Sequence, residues 1–236
     1  MIVVVKKNNI ILVGLIFILL ATIYSLNLDT ERVISTTVAE NQKTVIIDAG
    51  HGGEDPGKVS NYSDLREKDL NLIIAQKTRE LLEKENFTVI MTRQEDRLEY
   101  AEGTTNVIEK RRQDLNRRKK IMDESGAAIV VSIHLNGFNQ TQYYGAQTFY
   151  PPNSEDSKKL AEVLQKSIRD TCDPENKREP QLKKDPIIIL ADLKTPTVIV
   201  ECGFLSNAEE EKKLGTAEYQ DKLAAAITLG IQEYFK

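Results

Sequence analysis

Two histidines occur in the whole chain, His51 and His134, and each follows a run of β-branched residues. The first run reads VIIDAGHGG and brings Asp48 and His51 to its end; the third reads VVSIHLN and brings His134; the last reads VIVECGF and brings Glu201. Neutral imidazole is the commonest zinc ligand, and a catalytic zinc site takes three nitrogen or oxygen ligands and keeps one position open for water. Two histidines leave one ligand to find. Glu67, in DLREKDLNL at the head of an amphipathic stretch, is a candidate, but Asp64 followed by Glu67 also matches a capping box, in which the glutamate serves the helix terminus. Spacing alone leaves both readings open. Gly50, Gly52, Gly53 and Gly57 surround His51 and permit tight turns and close approach of a ligand. A glycine-rich loop after a strand also suits phosphate, yet neither G-x-G-x-x-G nor G-x-x-x-x-G-K-[ST] is present.

The elements that must position these residues alternate between short β-branched runs and longer amphipathic stretches. Strands are expected at Thr44 to Ile47, Phe87 to Thr92, Ala128 to Ile133, Gly145 to Tyr150, Ile187 to Leu190 and Thr197 to Val200. Helices are expected at Glu67 to Glu85, Ile108 to Ser125, Ser154 to Cys172 and Tyr219 to Phe235. Strands separated by helices imply βαβ crossovers, so the fold class is α/β: a three-layer sandwich, its largely parallel twisted sheet covered by helices on both faces. In open sheets of this kind, ligands gather beyond the carboxyl ends of the strands, where the histidines and Glu201 fall.

Length and composition bound the rest. The chain has 236 residues, 40% hydrophobic and 29% charged, which suits one globular domain. A formal charge of −4 gives no global attraction to nucleic acid, so no nucleic-acid partner is expected. After Lys6 and Lys7 comes an apolar run from Ile10 to Leu26, about 25 Å long as a helix and near the lower limit for a bilayer span. The lysines before it, with Asp29 and Glu31 after it, orient the remainder of the chain outside the cytoplasm. The expected organisation is a membrane anchor or signal sequence over 1–26, a polar tether over 27–43 and a catalytic domain over 44–236. Cys172 and Cys202 are too few and too far apart in sequence to form a disulfide framework.

Five segments resemble the zinc-dependent N-acetylmuramoyl-L-alanine amidases of the amidase-3 type: IDAGHGGEDPG (47–57), EKDLNL (67–72), TRQED (92–96), SIHLN (132–136) and VECGFLSN (200–207). The resemblance spans Thr44 to Lys236. It implies that His51, Glu67 and His134 are the Zn2+ ligands and Glu201 the catalytic carboxylate, and that the substrate is peptidoglycan. The bond cut would be the amide joining N-acetylmuramic acid to L-alanine. Asp48 or Asp55 is a candidate to orient a zinc-bound histidine through a hydrogen bond. An anchor joined to a catalytic domain, without wall-binding repeats, resembles the sporulation-specific enzymes that strip stem peptides from spore cortex on the way to muramic-δ-lactam. That layout implies action in the forespore intermembrane space, and a regulatory protein partner is a further candidate.

Other segments carry weaker signals. RRQDLNRRKK, Arg111 to Lys120, is basic, but Glu109 and Asp114 lie at helical pairing distance from its arginines, so most of it is expected as a solvated face. Arg118 falls on the apolar stripe between Leu115 and Met122 and is expected to turn inward to a carboxylate. The polar loop from Gln94 to Val107 follows a strand and is expected on the rim of the site, and Tyr143, Tyr144 and Phe149 either line the groove or pack.

Overall fold

The structure, a computed structural model, describes residues 18–22, 24, 43–184, 187–191 and 193–236. Residues 18–22 and 24 are helical, and the rest of the expected anchor and tether, up to 42, lies outside the described residues. Among the described residues no helix is long and apolar enough to cross a membrane. Lys43 begins a separate compact unit that runs to Lys236.

That unit is built on a six-stranded sheet in the order β2-β1-β3-β6-β4-β5. The strands are β1 (Thr44–Ala49), β2 (Thr88–Met91), β3 (Ile129–Asn136), β4 (Gln147–Tyr150), β5 (Gln181–Leu182) and β6 (Thr197–Phe204). The helices are α1 (Glu67–Lys84), α2 (Val107–Glu124), α3 (Glu155–Cys172), α4 (Ala208–Leu214) and α5 (Ala217–Tyr234). Pairing is parallel except where β4 runs antiparallel to β6. The expected three-layer α/β sandwich with a largely parallel sheet is therefore the fold.

Strand alternation divides the side chains between two layers. Val45, Ile47, Ala49, Val131, Ile133, Val198, Val200 and Cys202 point into one core, which α1, α3 and α5 close with Leu70, Ile74, Leu160, Leu164, Leu223 and Ile227. The opposite face turns Ile46, Val130 and Ile199 toward Met122 of α2 and toward Ile189 and Leu190. Asp48, Ser132, His134 and Glu201 continue the register of this second face. The helix starts are capped by side chains of Asn106, Ser154, Asn207 and Thr216, which accept from backbone N–H groups of the first turn. At α1 the N-cap is Arg66 and no side chain caps the helix, so the capping box expected as one reading of Asp64 and Glu67 does not form.

The structure corrects one expected strand. Ile187 to Leu190 holds a 3-10 turn over Ile188–Leu190, in which the N–H groups of Leu190 and Ala191 donate to the Ile187 carbonyl at 2.9 and 3.0 Å. An apolar run of four does not distinguish a strand from a packed turn. Here it plugs the sheet face beside α2 instead of extending the sheet. The short β5 and α4 carried no periodic signal. Both cysteines are free thiols, with Cys202 buried.

Candidate active site

His134 and Glu201 are paired directly across β3 and β6, so their side chains leave the same face of the sheet side by side. The register shifts between His134 and Asn136, a local irregularity immediately beyond the histidine. Cys202, next in sequence to Glu201, points into the opposite core and has no access to this site.

His51 arrives from a loop. Its own φ is +63°, an uncommon conformation for a residue with a side chain. The loop is held by its carbonyls. Arg118, 1% exposed, donates to the carbonyls of Ala49 and His51, both at 2.7 Å, and to Asp48 and Asp114 at 3.0 and 2.6 Å. Arg93 donates to the carbonyls of Ala49, Gly50 and Lys68 at 2.9, 3.0 and 2.7 Å. Asp96 accepts from Gly53 N and from Lys68 Nζ. The TRQED segment thus straps down the IDAGHGG segment, and Leu98 in the same loop lines the pocket, as expected for a rim element.

Glu67 stands at the first position of α1 and faces both rings. Its Oε1 lies 3.1 Å from His51 Nε2 and 2.9 Å from His134 Nδ1, and it accepts from Leu135 N at 3.1 Å. Its Oε2 accepts from Lys58 N at 2.7 Å. Asn71, one turn along α1, donates to Oε1 at 3.4 Å, a neighbour that i+4 spacing would have revealed. Two neighbouring glycines make the closeness feasible: a Cβ on Gly57 would stand 2.5 Å from Glu67 Oε2, and one on Gly50 would stand 2.3 Å from the His134 ring.

One donor atom from each of His51, Glu67 and His134 lies within 4.8 Å of the others, a group that could hold a metal ion. Ligands on a tetrahedral zinc at about 2.0 to 2.1 Å stand roughly 3.3 Å apart, close to the separations from Glu67 Oε1 to the two nitrogens. The donor set therefore fits zinc. His51 Nδ1 meets Asp55 Oδ2 at 2.8 Å, so Asp55, and not Asp48, is the carboxylate that orients a histidine. Asp48 instead accepts from Arg118, Thr92 and Ser132. Burial works against its charge, but Arg118 and the two hydroxyls prevail and hold its carboxyl down at about 2.

The electrostatics separate the two glutamates. Burial opposes ionisation of Glu67, yet hydrogen bonds to both imidazoles hold its carboxyl well below the usual carboxylate range. Burial likewise opposes a charged His51, and the bonds to Asp55 and Glu67 outweigh it, raising the ring to about 9. The carboxylates hold a positive charge at the place where a cation would sit. Glu201 goes the other way: burial, with Glu67 adding repulsion, raises it to about 7 although the histidines pull it down. Its Oε2 is buried without a hydrogen-bond partner among the described residues. A carboxyl poised near neutrality beside an imidazole, with one oxygen free, is equipped for proton transfer.

His51, His134, Glu201, Asp48 and Asp55 share a pocket of about 200 Å³ with Leu98, Arg111, Leu115, Ile187, Ile189 and Ile199. Arg111, grouped from its sequence with a solvated basic face, in fact reaches Asp55 at 3.0 Å. Arg112, paired to Glu109, and Arg118, buried, behave as expected, whereas Arg117 leaves the solvated face to donate to the Thr92 carbonyl at 2.8 Å. Tyr143 and Tyr144 are exposed, whereas Phe149 packs against the second core.

The family model for N-acetylmuramoyl-L-alanine amidases of the amidase-3 type matches residues 45–233. The chain belongs to this family. It is 36% identical over 193 residues to the germination-specific N-acetylmuramoyl-L-alanine amidase of Bacillus subtilis, covering 82% of this chain and 80% of that one. Among solved structures it is similar to the CwlD amidase of Clostridioides difficile, determined in complex with the GerS lipoprotein, with TM-score 0.80, 46% identity and coverage of 82% and 98%. A second Clostridium difficile N-acetylmuramoyl-L-alanine amidase matches with TM-score 0.71, 34% identity and coverage of 83% and 97%. The amidase hydrolyses peptidoglycan at the bond between N-acetylmuramic acid and L-alanine. That polymer lies outside the cytoplasmic membrane, and the amidase acts there.

Proposed function

We propose that the amidase works with a zinc ion held by His51, Glu67 and His134, and with Glu201 as its acid–base group. The observation that carries this reading is the contrast between two buried carboxylates beside the same two histidines. Glu67 is surrounded by imidazole and N–H donors and fixed as an anion, whereas Glu201 is buried with a free oxygen and raised to about 7. When bound, the ion would supply polarisation of the amide carbonyl and acidification of a water toward pKa ~7. Glu201 would act as the acid–base group, accepting a proton from the attacking water and delivering it to the departing L-alanyl amine, which leaves badly unless protonated. Asp55 fixes the His51 ring so that Nε2 faces the site.

The resemblance to cortex enzymes supports a narrower role in removing stem peptides from spore cortex peptidoglycan. With it goes a membrane-tethered location between the forespore membranes, the apolar run at Ile10 to Leu26 serving as anchor, 27–43 as tether and 44–236 as the catalytic domain. A regulatory protein partner is supported by the lipoprotein complex of the Clostridioides difficile relative.

Incubating the full-length chain and zinc with purified peptidoglycan, followed by mass spectrometry, tests the reading. Free stem peptides beginning at L-alanine are expected; cleavage confined to bonds within the stems contradicts it. For the cortex role, spores lacking this gene should have cortex without muramic-δ-lactam, and cortex with normal lactam content would refute it.

A further inference from the structure

The pocket contains two arginines, and only one has donors to spare. Arg118 is buried and donates to two carboxylates and two carbonyls. Arg111 is 47% exposed, and its Nε meets Asp55 at 3.0 Å. Its two terminal nitrogens have no partner among the described residues. Of the acids that line the same pocket, Asp48 and Asp114 are engaged with Arg118 and Asp55 with His51 and Arg111, while Glu201 is the proton-transfer carboxyl of the proposed reaction. Arg111 is therefore the group in this pocket that can offer paired donors to an incoming anion, and a guanidinium fork matches a carboxylate bidentately.

The remaining walls are aliphatic: Leu98, Leu115, Ile187, Ile189 and Ile199. A sugar ring would bring hydroxyls that these walls cannot partner, at a desolvation cost. A peptide brings methyl and methylene groups that such walls cover well, and it carries free carboxylates.

We propose that Arg111 is a specificity-determining residue that binds the free carboxylate of the stem residue following L-alanine, with the aliphatic wall covering the adjoining methylenes. This rests on the amidase reading of the site and extends it to the peptide side of the cut bond. Arg111 also leans on Asp55, so its removal has a structural component through His51. A comparison of two substrates on the same protein cancels that component.

The test uses two glycan-linked stem substrates of equal length that differ only in a carboxylate or a carboxamide on the residue after L-alanine. For the parent full-length chain with zinc, kcat/KM should favour the carboxylate about ten- to a hundredfold, mostly through KM, the range for a charge-assisted hydrogen bond. Arg111→Gln should bring the ratio close to one, and Arg111→Lys should restore part of it. Any loss of fold or of metal divides out of the ratio. Equal use of the two substrates by the parent overturns the proposal, as does a preference undiminished in Arg111→Gln. If the parent shows no preference but is inhibited by N-acetylmuramic acid more strongly than Arg111→Gln is, the arginine serves the lactyl carboxylate and the stem assignment fails. Failure to cleave either substrate would instead count against the amidase reading itself.

Discussion

His134 and Glu201 are placed by the sheet, whereas His51 is placed by a loop, and the two regions use different physical means. On β3 and β6, alternation and parallel register bring the two side chains together, and the ladder hydrogen bonds that fix them are those of any sheet. The His51 loop leaves the sheet after Gly50, whose N–H donates to the Ile133 carbonyl at 3.0 Å, and beyond that it has only a local Gly52–Asp55 bridge. It adopts a positive φ at the histidine itself and relies on Arg118, Arg93 and Asp55 to hold carbonyls and ring in place. A strand can carry a catalytic group with little further support, while a loop needs charged side chains from several elements to reach the same precision.

The contrast can be broken most severely at Arg118. Replacing it with Met leaves Asp48 and Asp114 buried without their cation and frees the carbonyls of Ala49 and His51. Unfolding in urea should show a loss of about 3–5 kcal/mol. Zinc affinity should fall with it, and a stable, fully metallated variant would mean that the loop holds itself.

Asp55→Asn offers a milder break, confined to the loop-borne ligand. Loss of the carboxylate behind His51 should weaken zinc binding about 10–100-fold, measured by competition with a chelator. His134 meets Glu67 but has no second carboxylate behind its ring among the described residues, so an equal affinity before and after would remove the distinction between the two histidines.

Acid sharpens the comparison with an effect of about 2 kcal/mol. Asp48 is held at about 2 in the fold, below the 3.8 of an unperturbed aspartate, so its contribution is fully present above pH ~4. It is lost as the pH falls through the folded value near 2. The stability gap between the parent and Asp48→Asn should therefore narrow from pH 5 to pH 2. A gap independent of pH would show that Asp48 is not held as an anion by Arg118.

Much of this was legible in the sequence, for identifiable reasons. The runs before Asp48, His134 and Glu201 are β-branched and bounded by glycine or polar residues, so the strands and the sheet type followed. Arg118 showed its inward role by interrupting an apolar stripe. Glu67 stayed ambiguous by spacing, because a helix start serves a cap and a ligand equally well, and the family resemblance was what named it a ligand; in the fold its carboxylate meets both imidazoles. Ile187 to Leu190 misled because four apolar residues pack equally well as a strand or a turn. Arg111 looked solvated because helical spacing reports neighbours on the same helix, and its partner Asp55 lies on the distant His51 loop. The Asn207 cap before the acidic first turn of α4 was an available signal for that helix.

The division of labour between the two glutamates is the central claim, and paired variants test it most directly. Zinc content and turnover on peptidoglycan should be measured for Glu201→Gln and Glu67→Gln side by side. The expected result is that Glu201→Gln keeps its zinc and loses about 10²–10⁴-fold in kcat, while Glu67→Gln loses the metal itself. A Glu201→Gln enzyme that turns over normally, or a Glu67→Gln enzyme that binds zinc as tightly as the parent, would contradict it.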